Sequence, residues 1–284
     1  MMLAKVLALA VLSQNYNRSL VTDGGLQCLW WQENTTITWH MDSVGNPVTS
    51  PGCSAENALQ KAFGTWQAQM DVCGSLGFAE GGATASRKVG YFETGTNENI
   101  VLFRNTVCSV PKNDRCLADD NCGNVYDCWQ FSDKAIAITT TSFSPSSGRI
   151  LDSDIELNNT SYTFTTVDAP RCSSSQYQTD CVATDVQNTA THEIGHLLGL
   201  AHFPVSSSTM SASANPGELD KRTLDPGTRQ FVCDVYPKGA ISKTCVTPVL
   251  GNEVVGKAGC QVAPAPLWGV LLVAFGARRP RRRG

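Results

Sequence analysis

Residues 191–202 read THEIGHLLGLAH and hold three of the chain's four histidines, His192, His196 and His202, around Glu193. On a helix, His192 and His196 are one turn apart and point the same way, so both imidazoles can reach one ion. Two histidines at that spacing, with a glutamate directly after the first, form the ligand and general-base arrangement of zinc peptidases. Gly199 stands three residues after His196. A glycine there can adopt positive φ and end the helix in a sharp turn, which returns His202 toward the same ion. Three nitrogen ligands leave a fourth position for water, the pattern of a catalytic rather than a structural zinc. Such an ion lowers the pKa of its water and polarises a carbonyl; Glu193 would take the water proton and pass it to the departing nitrogen. Unrelated surface or core histidines are the plain alternative, but that account leaves the shared spacing of His, Glu and Gly unexplained. No G-x-S-x-G elbow is present, so a serine-hydrolase reading has no support.

The elements that must position this cluster follow from periodicity. ITWHM at residues 37–41, NIVLFR at 99–104, AIAITT at 135–140 and GRILDSDIEL at 148–157 read as strands. Residues 55–70 have helical spacing, with Leu59, Phe63 and Trp66 on one face. Residues 186–200 read as the helix that carries the histidines, and 228–236 as a last helix. Residues 14–27 read as polar and ill-ordered, 108–128 and 159–182 as cysteine-closed loops, and 203–216 as irregular. Strands come mostly first, without clean βαβ repetition, so the expected class is α+β or mixed α/β in one domain at residues 28–237, followed by a linker at 238–259. Alternation puts Asp152, Asp154 and Glu156 on one face of their strand. Calcium takes such oxygens; a solvated acidic strand face is the plainer reading.

Twelve cysteines with no CxxC pair argue for disulfides in an oxidising compartment rather than for a zinc ribbon. Residues 1–13, MMLAKVLALAVLS, read as a short secretory signal, cut after an A-x-A at Ala8–Ala10 or after Ser13. At the other end stands CQVAPAPLWGVLLVAFGARRPRRRG, residues 260–284. Its apolar run from Val262 to Ala277 falls short of the roughly 20 residues of a spanning helix, and five arginines close it. A C-terminal sorting signal fits these parts; a plain tail anchor is the alternative. If Cys260 belongs to that signal, eleven cysteines remain and at least one lacks an intrachain partner. Lys5 and the five tail arginines account for six of the 22 basic residues, which leaves 16 against 25 acidic ones, a formal charge of −9. No basic footprint exists for nucleic acid.

HEIGHLLGLAH matches the signature H-E-x-x-H-x-x-G-x-x-H, and the chain resembles the metzincin proteases. Met210 in SSSTMSAS, eight residues after His202, corresponds to the methionine turn beneath the metal. Within that clan the chain is most similar to matrixins, over AENALQKAFGTWQ, AIAITTTSFSPSSGRILDSDIELN, DVQNTATHEIGH and TMSASANPGELDKRTLDPGTRQFVCDVYP. The resemblance implies a twisted sheet and two helices above a cleft, with a small irregular lower subdomain after Gly199. It implies one catalytic Zn2+ and a protein or peptide substrate. Matrixins commonly follow the methionine with Tyr-Pro; Ser211 and Ala212 stand there instead, so the family's preference for the side chain after the cut does not carry over. Ala212 also cannot serve as the tyrosine metal ligand of astacin-like relatives. Cys28 lacks the surroundings of a propeptide switch cysteine and reads as a disulfide partner. The tail resembles the sorting signals of myxobacterial surface proteins. That implies processing at Gly259–Cys260 by a dedicated membrane protease, attachment to the cell surface or outer membrane, and membrane contact through the tail alone. The competing function from another class is a zinc-stapled extracellular binding or adhesion protein on the same scaffold. Retention of Glu193, which is not needed to hold the metal, argues against it.

Overall fold

The structure is a computed structural model, and it describes residues 15–22 and 25–245. Five strands form one mixed sheet: β1 (Thr36–Asp42), β2 (Gly77–Thr84), β3 (Asn99–Arg104), β4 (Ala137–Phe143) and β5 (Ile150–Asn158). Their order is β2-β1-β3-β5-β4, parallel except for the antiparallel β4–β5 pair, so β4 is an edge. Three helices complete the frame: α1 (Ala55–Cys73), α2 (Val186–Leu197) and α3 (Pro226–Val235). The α+β expectation therefore stands. Strand β2 lies in a glycine-bearing stretch that carries no clean alternation in sequence.

Helix α1 starts where Ser54 accepts from the Asn57 N–H, a side-chain N-cap. Its apolar face, Leu59, Phe63, Trp66 and Met70, is fully buried, and Trp39 of β1 stacks on Phe63 with centroids 4.5 Å apart. The Trp66 indole N–H donates to the Thr191 carbonyl at 2.9 Å, which locks α1 to α2. The imperfect alternation of β5 has a physical cause. The register shifts between Ser142 and Phe143, Phe143 pairs with Ile150, and Ile150 enters the main core with Ile155 and Leu157.

The acidic residues of β5 do not form a solvated face. Asp152, Asp154 and Glu156 are all buried. The Asp154 carboxylate accepts from the Gly90 and Ile100 backbone N–H groups, and Glu156 pairs with the buried guanidinium of Arg104 at 2.6 Å. Chain from the 87–92 and 105–131 regions meets this side of the sheet, with Asp127 closing on Arg104 and Arg87. Because Glu156 is turned to Arg104, the three carboxylates do not converge as one calcium ligand set. Among the described residues only the three histidines form a group of three candidate ligands.

The domain reaches beyond residues 28–237 at both ends. Tyr16 is buried edge-on against Phe231, and Asn17–Arg18 pairs antiparallel with Leu200–Ala201. The polar string at 14–27 carries no local period; its partner strand, Leu200–Ala201, is far away in sequence and only the tertiary fold supplies it. Downstream, Lys238 and Lys243 bond back to Cys73 and Val235, and Cys245 is bridged to Cys28. The other disulfides are Cys73–Cys233, Cys108–Cys128, Cys116–Cys122 and Cys172–Cys181. Among the described cysteines Cys53 alone is unpaired, as an odd count without Cys260 requires. Residues 1–13, most of the 238–259 segment, Gly259, Cys260 and the tail lie outside the described residues.

Candidate active site

Helix α2 is built to deliver His192, Glu193 and His196. Asp185 caps its start by accepting from the Asn188 N–H at 2.6 Å. Its last carbonyls are also satisfied: the Trp31 indole donates to Leu197 O and the Tyr236 hydroxyl to Leu198 O. Gly199 then takes φ +94°, and a Cβ there would lie 2.7 Å from the Leu29 carbonyl. Both the conformation and the space demand glycine. The Asn17–Arg18 strand clamps the chain after this turn, and the Asn17 amide donates to His202 O at 2.9 Å.

The turn brings His202 to the two helix histidines. The three Nε2 atoms stand 3.2 Å from one another. A tetrahedral ion with Zn–N of about 2.0–2.1 Å needs nitrogen–nitrogen edges of about 3.3 Å, so the donor set fits zinc. The Nδ1 atoms support it: His192 Nδ1 lies 2.6 Å from Thr209 O and His196 Nδ1 lies 2.8 Å from Leu200 O. A carbonyl only accepts, so each Nδ1 carries the proton and each Nε2 presents its lone pair. Burial holds these imidazoles neutral. His192 titrates well below the usual histidine range, through burial and then the neighbouring His196 and His202. Burial followed by His202 takes His196 down to about 3, and burial followed by the Lys221 charge takes His202 down to about 4.

Glu193 is buried beside this cluster. Its Oε2 accepts from the Thr139 hydroxyl at 2.6 Å, and Thr139 comes from the edge strand β4. Burial raises its pKa to about 7 against the opposing Thr139 bond. The sign of that shift makes a stability prediction. Below the ordinary glutamate value of 4.5, folded and unfolded chains both carry the proton and the shift has no effect. As pH rises from 4.5 to about 7 the unfolded chain ionises while the buried carboxyl holds its proton, so the fold loses about 3 kcal/mol, and the loss is complete above 7. Metal-free Glu193→Gln protein is therefore expected to be more stable than metal-free wild type at pH 8, with the difference vanishing near pH 4. Urea unfolding at both pH values checks it, and an equal difference at the two would remove the assignment.

Met210 is buried on the Ser208–Ser211 turn, and its Sδ packs on Gly195, where an added Cβ would come within 2.3 Å. Asp225 holds this turn by accepting from the Thr209 N–H and the Ser208 hydroxyl while it caps α3. The cluster opens into a cleft of about 380 Å³. Its walls are residues 134–139 on the β4 side and Ser211–Pro216 on the other, with Asn188, Glu218 and Lys221 between them. Ser211 and Ala212 thus line the cleft. Asp152, Asp154 and Glu156 do not; they lie in the sheet.

Sequence reasoning missed Thr139, Gly195, Asn188 and Lys221. Only Thr139 carried a usable signal, since alternation from Ala137 puts it on the inner face of its strand.

The matrixin family model matches residues 123–236, which includes the edge strand, the histidine helix, the methionine turn and α3. The match supports a zinc-dependent metallopeptidase. It begins after β1, β2 and β3, which stand outside it. No curated protein matches the chain.

Proposed function

We propose that this protein is a secreted zinc endopeptidase that hydrolyses extracellular proteins or peptides, with His192, His196 and His202 as the metal ligands and Glu193 as the general base. The observation that carries the reading is the Glu193 carboxylate, buried at the cleft beside three converging imidazoles and restrained by Thr139. A zinc ion bound by the three imidazoles supplies an activated water and polarises the scissile carbonyl.

The chain's own residues do the rest. Strand β4 is a sheet edge along the cleft, so its free backbone groups can align an extended peptide by strand addition. Glu193 accepts the proton of the attacking water and returns it to the departing amine nitrogen. The Thr139 hydroxyl keeps the carboxylate aimed during both transfers. Thr209 O and Leu200 O hold two imidazoles in the ligating tautomer. Met210 closes the floor beneath the histidines, and Ser211 and Ala212 form part of the wall met by a substrate side chain. A chelator is expected to abolish cleavage of a mixed peptide library, and added zinc to restore it. Cleavage that persists after complete zinc removal would defeat the reading.

The setting belongs to the same proposal. Five disulfides among the described residues suit an oxidising compartment. No described helix is long and apolar enough to cross a membrane. We place the membrane contact in residues 260–284, with processing at Gly259–Cys260 by a membrane protease. Cys260→Ser is expected to stop surface retention or maturation in the native host, measured by fractionation; unchanged retention would favour a plain anchor.

A further inference from the structure

The recess between α2 and the Ser211–Pro216 wall holds two hydrogen-bond donors that the fold does not consume. Lys221 is almost wholly buried, and its ammonium donates to Ser213 O at 2.8 Å and to the Glu218 carboxylate. Those contacts use two of its three N–H groups. Both Glu218 oxygens are used within the protein, since the other one accepts from the Asn215 N–H at 3.0 Å. Asn188 is 2 % exposed, and its Oδ1 accepts from the Lys221 backbone N–H at 2.8 Å. That bond fixes which amide atom is oxygen. The Asn188 Nδ2 then faces away from Lys221 N and has no partner among the described residues. Both Asn188 and Lys221 line the cleft.

Both donors are open to the cleft; a ligand that covers them without offering an acceptor leaves them unpaired at a cost, so the site discriminates against it. From this geometry we propose that the cleft selects a substrate side chain bearing a hydrogen-bond acceptor, a carboxamide or a carboxylate, held by Asn188 Nδ2 and Lys221 Nζ. The inference rests on the peptidase reading for its substrate and deepens it. A recess that was merely apolar would favour Leu or Met at the same subsite. The Lys221–Glu218 pair carries no net charge, so Gln and Asn rank ahead of Glu and Asp.

The test uses the full chain. Wild type is given a mixed peptide library, and the products are sequenced by mass spectrometry. At one subsite, Gln and Asn are expected to exceed Leu and Met by roughly 10–100-fold in kcat/KM. The double variant Lys221→Met/Glu218→Gln strands neither charge and removes one of the two donors, so it is expected to weaken that preference at the same subsite. An apolar preference at every subsite, or an identical profile in the variant, would overturn the proposal. A second measurement does not depend on turnover. In ¹⁵N-labelled Glu193→Gln protein, the Asn188 side-chain amide resonances are expected to move on addition of N-acetylglutaminamide and to stay with N-acetylmethioninamide. Movement without library cleavage would defeat the peptidase reading and keep the recess; cleavage with no such movement would defeat the recess alone.

Discussion

Glu193→Gln protein is expected to bind zinc as wild type does and to cleave a mixed peptide library roughly 10²–10⁴-fold more slowly, the range for loss of a positioned general base. Glutamine keeps the shape and can still accept the Thr139 hydrogen bond, so the cleft wall and the three imidazoles stay in place. It cannot accept the water proton at neutral pH. The loss should fall on kcat more than on KM, because Glu193 acts on the water rather than on the peptide. Elemental analysis and steady-state kinetics on the two proteins decide it. Equal activity would remove the general-base role. Full zinc occupancy with no cleavage by either protein would favour a zinc-stapled binding protein on this scaffold.

His202→Ala is expected to leave most purified chains without zinc, where wild type carries about one ion per chain. His192 and His196 are fixed by α2, yet two imidazoles alone do not make the three-nitrogen set that a catalytic zinc site uses. The loss should exceed the roughly 10–100-fold typical of removing a hydrogen-bond partner behind a ligand. The turn at Gly199 and the clamp from Asn17 remain in this variant, so circular dichroism should show the fold retained. Unchanged zinc content in a folded His202→Ala protein would sink the ligand assignment.

The spacing of His192, Glu193, Gly199 and His202 was legible without coordinates because a helix and a glycine turn are local geometry. The period of 3.6 residues aligns the first two histidines, and φ +94° at Gly199 needs no distant partner to be foreseen. The α1 face and strands β1, β3, β4 and β5 were legible for the same reason: burial repeats at a short, regular interval. Several features had no such local cause. The strand at Asn17–Arg18 exists only because Leu200–Ala201 lies beside it. The acids of β5 alternate as a solvated face would, yet all three are buried, Glu156 against Arg104 and Asp154 against the backbone N–H groups of Gly90 and Ile100. Cysteine spacing is silent on pairing, so Cys28–Cys245 and the unpaired Cys53 had to come from the fold. Asn188 and Lys221 are ordinary polar residues in sequence. Only packing of the 211–222 segment against α2 buries most of each residue and leaves their N–H groups at the cleft. Local chemistry specified which residues could hold zinc and move a proton, while desolvation and long-range pairing, which depend on the whole fold, decided what surrounds them.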